Sequence, residues 1–136
     1  MSNYDYQFHT GLNLIEVHFA GAIQLSDILL YAQEILSLDL ITEGTIEYVD
    51  LSEMTSLSLD YKSAKMLTGT LQECVAHGWQ GSIHFAPQDY QFGTIRMIGA
   101  IVESLEGAFG GMVIPRREPT SLDEVRDLIA QHRQVS

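Results

Sequence analysis

Two arginine-bearing segments and one serine-rich segment hold the residue types that could do chemistry in this chain. Asp89, Gly93 and Arg96 stand at i, i+4 and i+7, so a helix through them carries all three on one face. A guanidinium on such a face suits a carboxylate or phosphate. Gly93 would leave room for close approach, and Phe92 would add an apolar wall. Arg116 and Arg117 follow the last apolar run and add a second cationic spot at the same end of a sheet. The structural alternative for these residues is Asp89 as a helix cap, Arg96 as a bridge to a loop or a second copy, and Arg116-Arg117 as a solvated turn. Asp50, Ser52, Ser58 and Asp60 frame a Thr/Ser/Leu segment that reads as a loop able to contact a protein partner.

Other chemistries find no support in the spacing. The five histidines show no His-x-His, Glu-x-x-His or HExxH pattern, although His9 and His18 could face each other across a hairpin, so no metal site is expected. There is no Gly-x-Ser-x-Gly elbow. Cys74, the single cysteine, falls in a helical apolar pattern and reads as a small core residue. Gly107, Gly110 and Gly111 lack the Lys-Ser/Thr of a phosphate loop. No catalytic set and no cofactor is expected.

The net charge of −11 argues against nucleic acid, whose phosphates need clustered Lys and Arg. Residues 1–61 hold ten acidic side chains and no Lys or Arg, so one surface should be strongly negative. That asymmetry serves solubility or a face for a basic partner. No apolar run reaches the ~18–20 residues of a membrane span, since Glu103 breaks the run at 97–102, and no secretory pattern opens the chain. A cytoplasmic protein without membrane insertion is expected. At 136 residues the chain is read as one domain, 1–136.

The elements that must position these residues follow from periodicity. Tyr4, Tyr6 and Phe8 alternate with polar residues, as do Ile15, Val17 and Phe19, which predicts a hairpin of residues 4–9 and 13–20 turning at Thr10-Gly11. Ser26 or its neighbour would cap a helix over 27–38. A doubly buried strand at 45–51 precedes a loop at 52–59 and a helix from about Asp60, ended by Gly78. A strand at 82–86, a helix from Asp89 to about Leu105, a strand at 110–114 ended by Pro115, and a helix opened by Ser121 and Glu124 complete the chain. In that helix from Asp89, Phe92, Ile95, Ile98, Val102 and Leu105 should face inward. The expected fold is α/β, a mixed five-stranded sheet with four helices in the order β-β-α-β-α-β-α-β-α, its last three strands reached by right-handed parallel crossovers. Those crossovers would gather Asp50, Asp89 and Arg116 on one rim. Trp79, Phe109, Met54 and Leu57 fall in or near loops and would favour an interface if contiguous.

Val49-Asp50-Leu51-Ser52 at a strand end, followed by a Thr/Ser/Leu loop and a helix, resembles the signature of STAS domains, the anti-sigma-factor antagonists and their relatives. Residues 87–97, PQDYQFGTIRM, resemble a segment of small bacterial SpoIIAA-like proteins, and the terminal capping-box helix agrees with them, so the resemblance covers essentially the whole chain. It implies a STAS/SpoIIAA-like fold, self-association, and recognition of a protein or small ligand without enzymatic activity. One departure argues against a phosphorylation switch. Where phosphorylatable relatives carry Asp-Ser-Ser/Thr-Gly, this chain reads Ser58-Leu59-Asp60-Tyr61, and Leu59 takes the place of the modified serine. The sequence therefore points to a non-enzymatic, homodimeric protein-binding domain contacting its partner through Asp50, Ser52, Ser58 and Asp60. The alternative is a binder of an apolar or anionic small molecule at Asp89, Phe92, Gly93, Arg96, Arg116 and Arg117.

Overall fold

Alternating aromatic residues start the sheet. In the computed structural model, which describes residues 3–103 and 113–135, β1 (Tyr4–His9) pairs antiparallel with β2 (Leu14–Gln24) from Tyr4↔Phe19 to His9↔Leu14. The turn is a 3-10 helix, Thr10–Leu12, followed by Asn13 with φ 49°. The left-handed residue is thus Asn13 and not Gly11. Its Oδ1 accepts from Thr45 Oγ1 at 2.9 Å and its Nδ2 donates to the Glu43 carbonyl at 3.1 Å, bonds a glycine could not make.

β2 runs beyond residue 20, with register shifts between His18 and Ala20 and between Gly21 and Ala22, into α1 (Leu25–Ser37). Gln24, rather than Ser26, caps α1: its N–H donates to Asp27 Oδ2 at 2.8 Å within a reciprocal capping box. β3 (Ile46–Ser58) is nearly twice the expected length, and the expected loop at 52–59 is mostly strand. The extended end of β2 supplies the partner, pairing Ala20↔Glu53 through Gln24↔Ser58. α2 (Tyr61–Ala76) begins where Asp60 Oδ1 accepts the Ser63 N–H at 2.7 Å. It ends at Gly78, whose φ of 114° and close approach to Glu43 require glycine.

β4 (Gly81–Phe85), α3 (Asp89–Glu103), β5 (Val113–Arg116) and α4 (Leu122–Val135) follow. The sheet order is β1-β2-β3-β4-β5, parallel except for the first pair. Pro115 lies within β5 and does not end it; on an edge strand its missing N–H costs no ladder bond. Residues 110–112 of the expected strand, Phe109, Leu105 and the side chain of Val102 lie outside the described residues.

The helices divide between the two faces. Ile15, Val17, Phe19, Val49 and Leu51 pack with Tyr31 and Ile35 of α1, Cys74 of α2, and Ile95 and Ile98 of α3. Leu14, Ile46, Tyr48, Ile83 and Ile114 point the other way and are covered by Val125 and Ile129 of α4. Each such fully buried side chain contributes about 1.5–3 kcal/mol, so both faces are committed to core over most of their area. Trp79 and Met54, expected near the surface, are buried in the first of these clusters.

Candidate functional site

The sheet face that carries α4 has an open strip toward β1, where the polar members of each strand alternation collect. His9 Nε2 lies 2.8 Å from Glu16 Oε1, and His18 Nε2 lies 3.2 Å from Glu16 Oε2. His18 Nδ1 is 3.1 Å from Asp50 Oδ2, and Asp50 Oδ1 accepts the Ser52 N–H at 2.9 Å and its hydroxyl at 2.7 Å. Burial alone would raise the Glu16 carboxyl, but the bonds to His9 and His18 outweigh it and hold its pKa below the usual value. His9 and His18 therefore meet on one carboxylate, and no group of three ligating side chains suited to a metal occurs among the described residues. Asp50 and Ser52 are engaged inside this ladder.

Ser58 and Asp60 sit at the far end of β3, roughly 25 Å from Asp50 at the rise of an extended strand. The four partner residues thus form two places, not one. β4 accompanies β3 only as far as Asp50↔Phe85, while β2 continues to Ser58. Just past β4, the edge is tied by α3: the buried Gln91 donates Nε2–H to the carbonyls of Leu51 at 2.8 Å and Met54 at 2.9 Å, and Tyr90 donates its hydroxyl to Met54. Residues 55–58 have β2 on one side and, among the described residues, no hydrogen-bonded neighbour on the other. Leu59 and Tyr61 follow at once, 46 % and 83 % exposed.

The rim past β4 and β5 is also partly assembled. Asp50, Phe85 and Arg116 fall in one row across the sheet. Arg117 Nη1 is 2.6 Å from Asp89 Oδ1, and its guanidinium lies 4.6 Å from the centre of the Phe92 ring. Asp89 is the first residue of α3 and pairs with Arg117 instead of capping; the Gln88 N–H is met by Gln91 Oε1 at 3.0 Å. Arg116 and Arg117 part company, because Arg116 lies with Ile114, Leu128 and His132 against α4. Arg96 and Gly93 are on the exposed side of α3, and a Cβ on Gly93 would meet nothing within 4 Å, so this glycine serves no close packing.

A polar cluster that periodicity did not single out lies in the other core. Tyr31, Glu47, Cys74, Trp79, Ser82 and His84 line a cavity of about 70 Å³ between the sheet and α1–α3, with Val49, Leu51, Ile95 and Ile98 among its apolar walls. The Tyr31 hydroxyl donates to Glu47 Oε2. Burial raises the Glu47 carboxyl against the lowering effect of Tyr31 and Trp79, and burial followed by the charge of Glu47 drives the Tyr31 phenol well up. The Trp79 indole N–H lies close enough to that carboxyl to lower its pKa, but its geometry falls short of a full hydrogen bond to it or to any other acceptor among the described residues. Burial also pushes the Cys74 thiol up to about 12, with Glu47 and Glu73 adding to it, and the His84 imidazole down to about 3. His84 keeps some accessible surface and holds Ser82 Oγ at 3.3 Å from Nδ1. Burial thus disfavours both the Cys74 thiolate and the His84 imidazolium in this cavity. The signal available beforehand was Glu47 itself, one carboxylate in the apolar run Ile46, Tyr48, Val49.

No helix among the described residues is long and apolar enough to cross a membrane. No family model and no curated protein matches the chain. Among solved structures, the chain is similar to the anti-sigma factor antagonist SpoIIAA in its unphosphorylated form, at 12 % identity and a TM-score of 0.48, over 96 % of this chain and 97 % of that one. The likeness is one of overall chain course and carries no residue's role across.

Proposed function

We propose that this protein is a non-enzymatic cytoplasmic binding module that docks an extended segment of a protein partner along the β3 overhang. The observation that carries the reading is the edge at residues 55–58, which outruns β4 and ends in the exposed Leu59 and Tyr61. An unpaired strand edge offers a row of backbone donors and acceptors to an incoming strand, and flanking apolar side chains add contact area. Ser58 and Asp60 border this edge, whereas Asp50 and Ser52 act through the sheet ladder. A second copy presenting the same edge would pair about a two-fold axis, giving a homodimer.

A small-ligand site at Asp89, Phe92, Gly93, Arg96, Arg116 and Arg117 draws less support. Arg117 is engaged by Asp89 and Phe92, and Arg116 leaves for the α4 side. Photo-crosslinking tests the docking edge: a photoreactive residue replaces Tyr61, or the exposed Asp127 on α4 as control, in the full chain inside its native host. A defined adduct at position 61 that is absent at 127 and lost on adding Leu59→Lys supports the edge. Equal adducts at both positions, or none at 61 together with a concentration-independent monomer mass, overturn it.

A further inference from the structure

The chamber between the sheet and α1–α3 has a built interior that strand docking does not use. Its polar groups come from α1, β3, the end of α2, the α2–β4 connection and β4, and they converge on one space whose remaining wall is apolar. Tyr31 and Glu47 satisfy each other, and Ser82 and His84 lie within reach of each other. The Trp79 indole N–H, in a residue only 4 % exposed, has the Glu47 carboxyl nearby but no well-formed acceptor among the described residues. A buried donor without a well-formed partner is uncommon in folded proteins, and here it faces a cavity from which a small molecule could complete the bonding.

We propose that this chamber binds a small uncharged molecule carrying both a hydrogen-bond acceptor and a donor, a primary carboxamide being the simplest such group. The acceptor meets Trp79 Nε1–H, the donor turns to the Glu47 carboxyl beside it, and the alkyl part lies against Val49, Leu51 and Ile95. Size sets the upper limit. A volume of about 70 Å³ corresponds to a little over two water molecules at about 30 Å³ each, whereas benzene occupies an engineered cavity of about 150 Å³. A molecule of four or so heavy atoms fits, and a six-membered ring does not. Charge sets the class: the lining holds no Arg or Lys to meet an anion, and a cation would have to shed its water in a small apolar space against a single carboxylate that Tyr31 already engages.

Trp79 is the chain's single tryptophan, so its indole gives one resonance in a nitrogen-15 spectrum of the full-length protein. Acetamide, acetate and ethylammonium are titrated separately. Acetamide should shift the indole resonance saturably, and each charged probe should bind at least about tenfold more weakly, the cost of a charge placed there without a partner. Ala32→Leu, which fills the chamber from α1, should abolish saturation while the rest of the spectrum stays dispersed; Leu71→Phe serves the same arm if the first variant does not fold. A strictly linear response to acetamide means that the chamber holds only water and overturns the proposal. So does saturation unchanged in the filled variant, and equal binding of a charged probe overturns the uncharged class. None of these outcomes bears on the β3 edge.

Discussion

Tyr31 of α1 and Glu47 of β3 are hydrogen-bonded to each other inside the core, sixteen residues apart in the chain. The bond joins the first crossover helix to the middle strand of the sheet, and burial raises the pKa of both groups that make it. Such a pair rigidifies the core only while both partners are present, because either one alone is a buried polar group without a partner. Tyr31→Phe should therefore destabilise the protein by about 1–3 kcal/mol, more than the loss of one exposed hydroxyl would cost. Urea unfolding monitored by circular dichroism measures the change. A loss below a few tenths of a kcal/mol would place the hydroxyl in water and not on Glu47.

Glu47 also gives the stability an unusual pH slope. Its carboxyl ionises near 4.5 in the unfolded chain and at a higher pH in the fold, where burial penalises the charge. Between those two values the folded state binds more protons than the unfolded one, so stability falls as pH rises. The contribution is fully present below about 4.5 and is lost as pH climbs through the raised folded value. Glu47→Gln should remove that falling limb while keeping the size of the side chain. Unfolding midpoints taken from pH 4.5 upward decide it, and a variant with the same slope as the parent would assign the slope to another group.

His84 acts in the opposite direction on the acid side. Its imidazole titrates near 6.5 when unfolded and is pushed down to about 3 in the fold by burial. The unfolded chain takes up the proton first, so stability is whole above about 6.5 and declines as pH falls toward about 3. His84→Gln should flatten the acid limb between those values, with the hydrogen bond to Ser82 open to the amide. Thermal melts at closely spaced acid pH values test this, and an unchanged acid limb would mean that the ring is hydrated in the folded protein.

The outline of the fold was readable from periodicity wherever a local signal met a tertiary need. Tyr4, Tyr6 and Phe8 marked β1, and Asp60 marked the start of α2. The overhang of β3 was not readable, because Ser52, Thr55, Ser56 and Ser58 have a loop's composition and become strand only through the extended β2 beside them. The chamber was hidden for a related reason. Its six polar residues come from four elements and one connection at irregular spacing, and Trp79 and Ser82 look local until the sheet brings Glu47 to them. On the rim, the pairing of Arg117 with Asp89 follows from β5 lying beside β4, whereas the divergence of Arg116 follows from strand alternation, a period-two rule that could have separated the two arginines beforehand.

Gly78 is the position where one methyl group should cost most. It ends α2 with φ 114°, and a Cβ built there would lie 2.4 Å from Glu43 Cα and 2.6 Å from the Thr42 carbonyl oxygen. Both are backbone atoms, so the clash cannot be relieved by turning a side chain. They also belong to the segment that leads into β3, where the Gly44 N–H donates to the Gly78 carbonyl at 2.9 Å and the Gln80 N–H to the Thr45 carbonyl at 2.9 Å. Gly78→Ala should thus separate two connections that hold the same end of the sheet. A left-handed residue with a Cβ costs about 1–3 kcal/mol from its dihedral angles alone, and the displaced backbone adds to that. By contrast, Gly93→Ala on the exposed side of α3, with nothing within 4 Å of the new methyl, should stabilise the helix by about 0.5–1 kcal/mol. Parallel urea denaturation of the two variants gives opposite signs if the close approach at Gly78 is real, and a Gly78→Ala protein as stable as its parent would show that the 42–45 segment is free to move away.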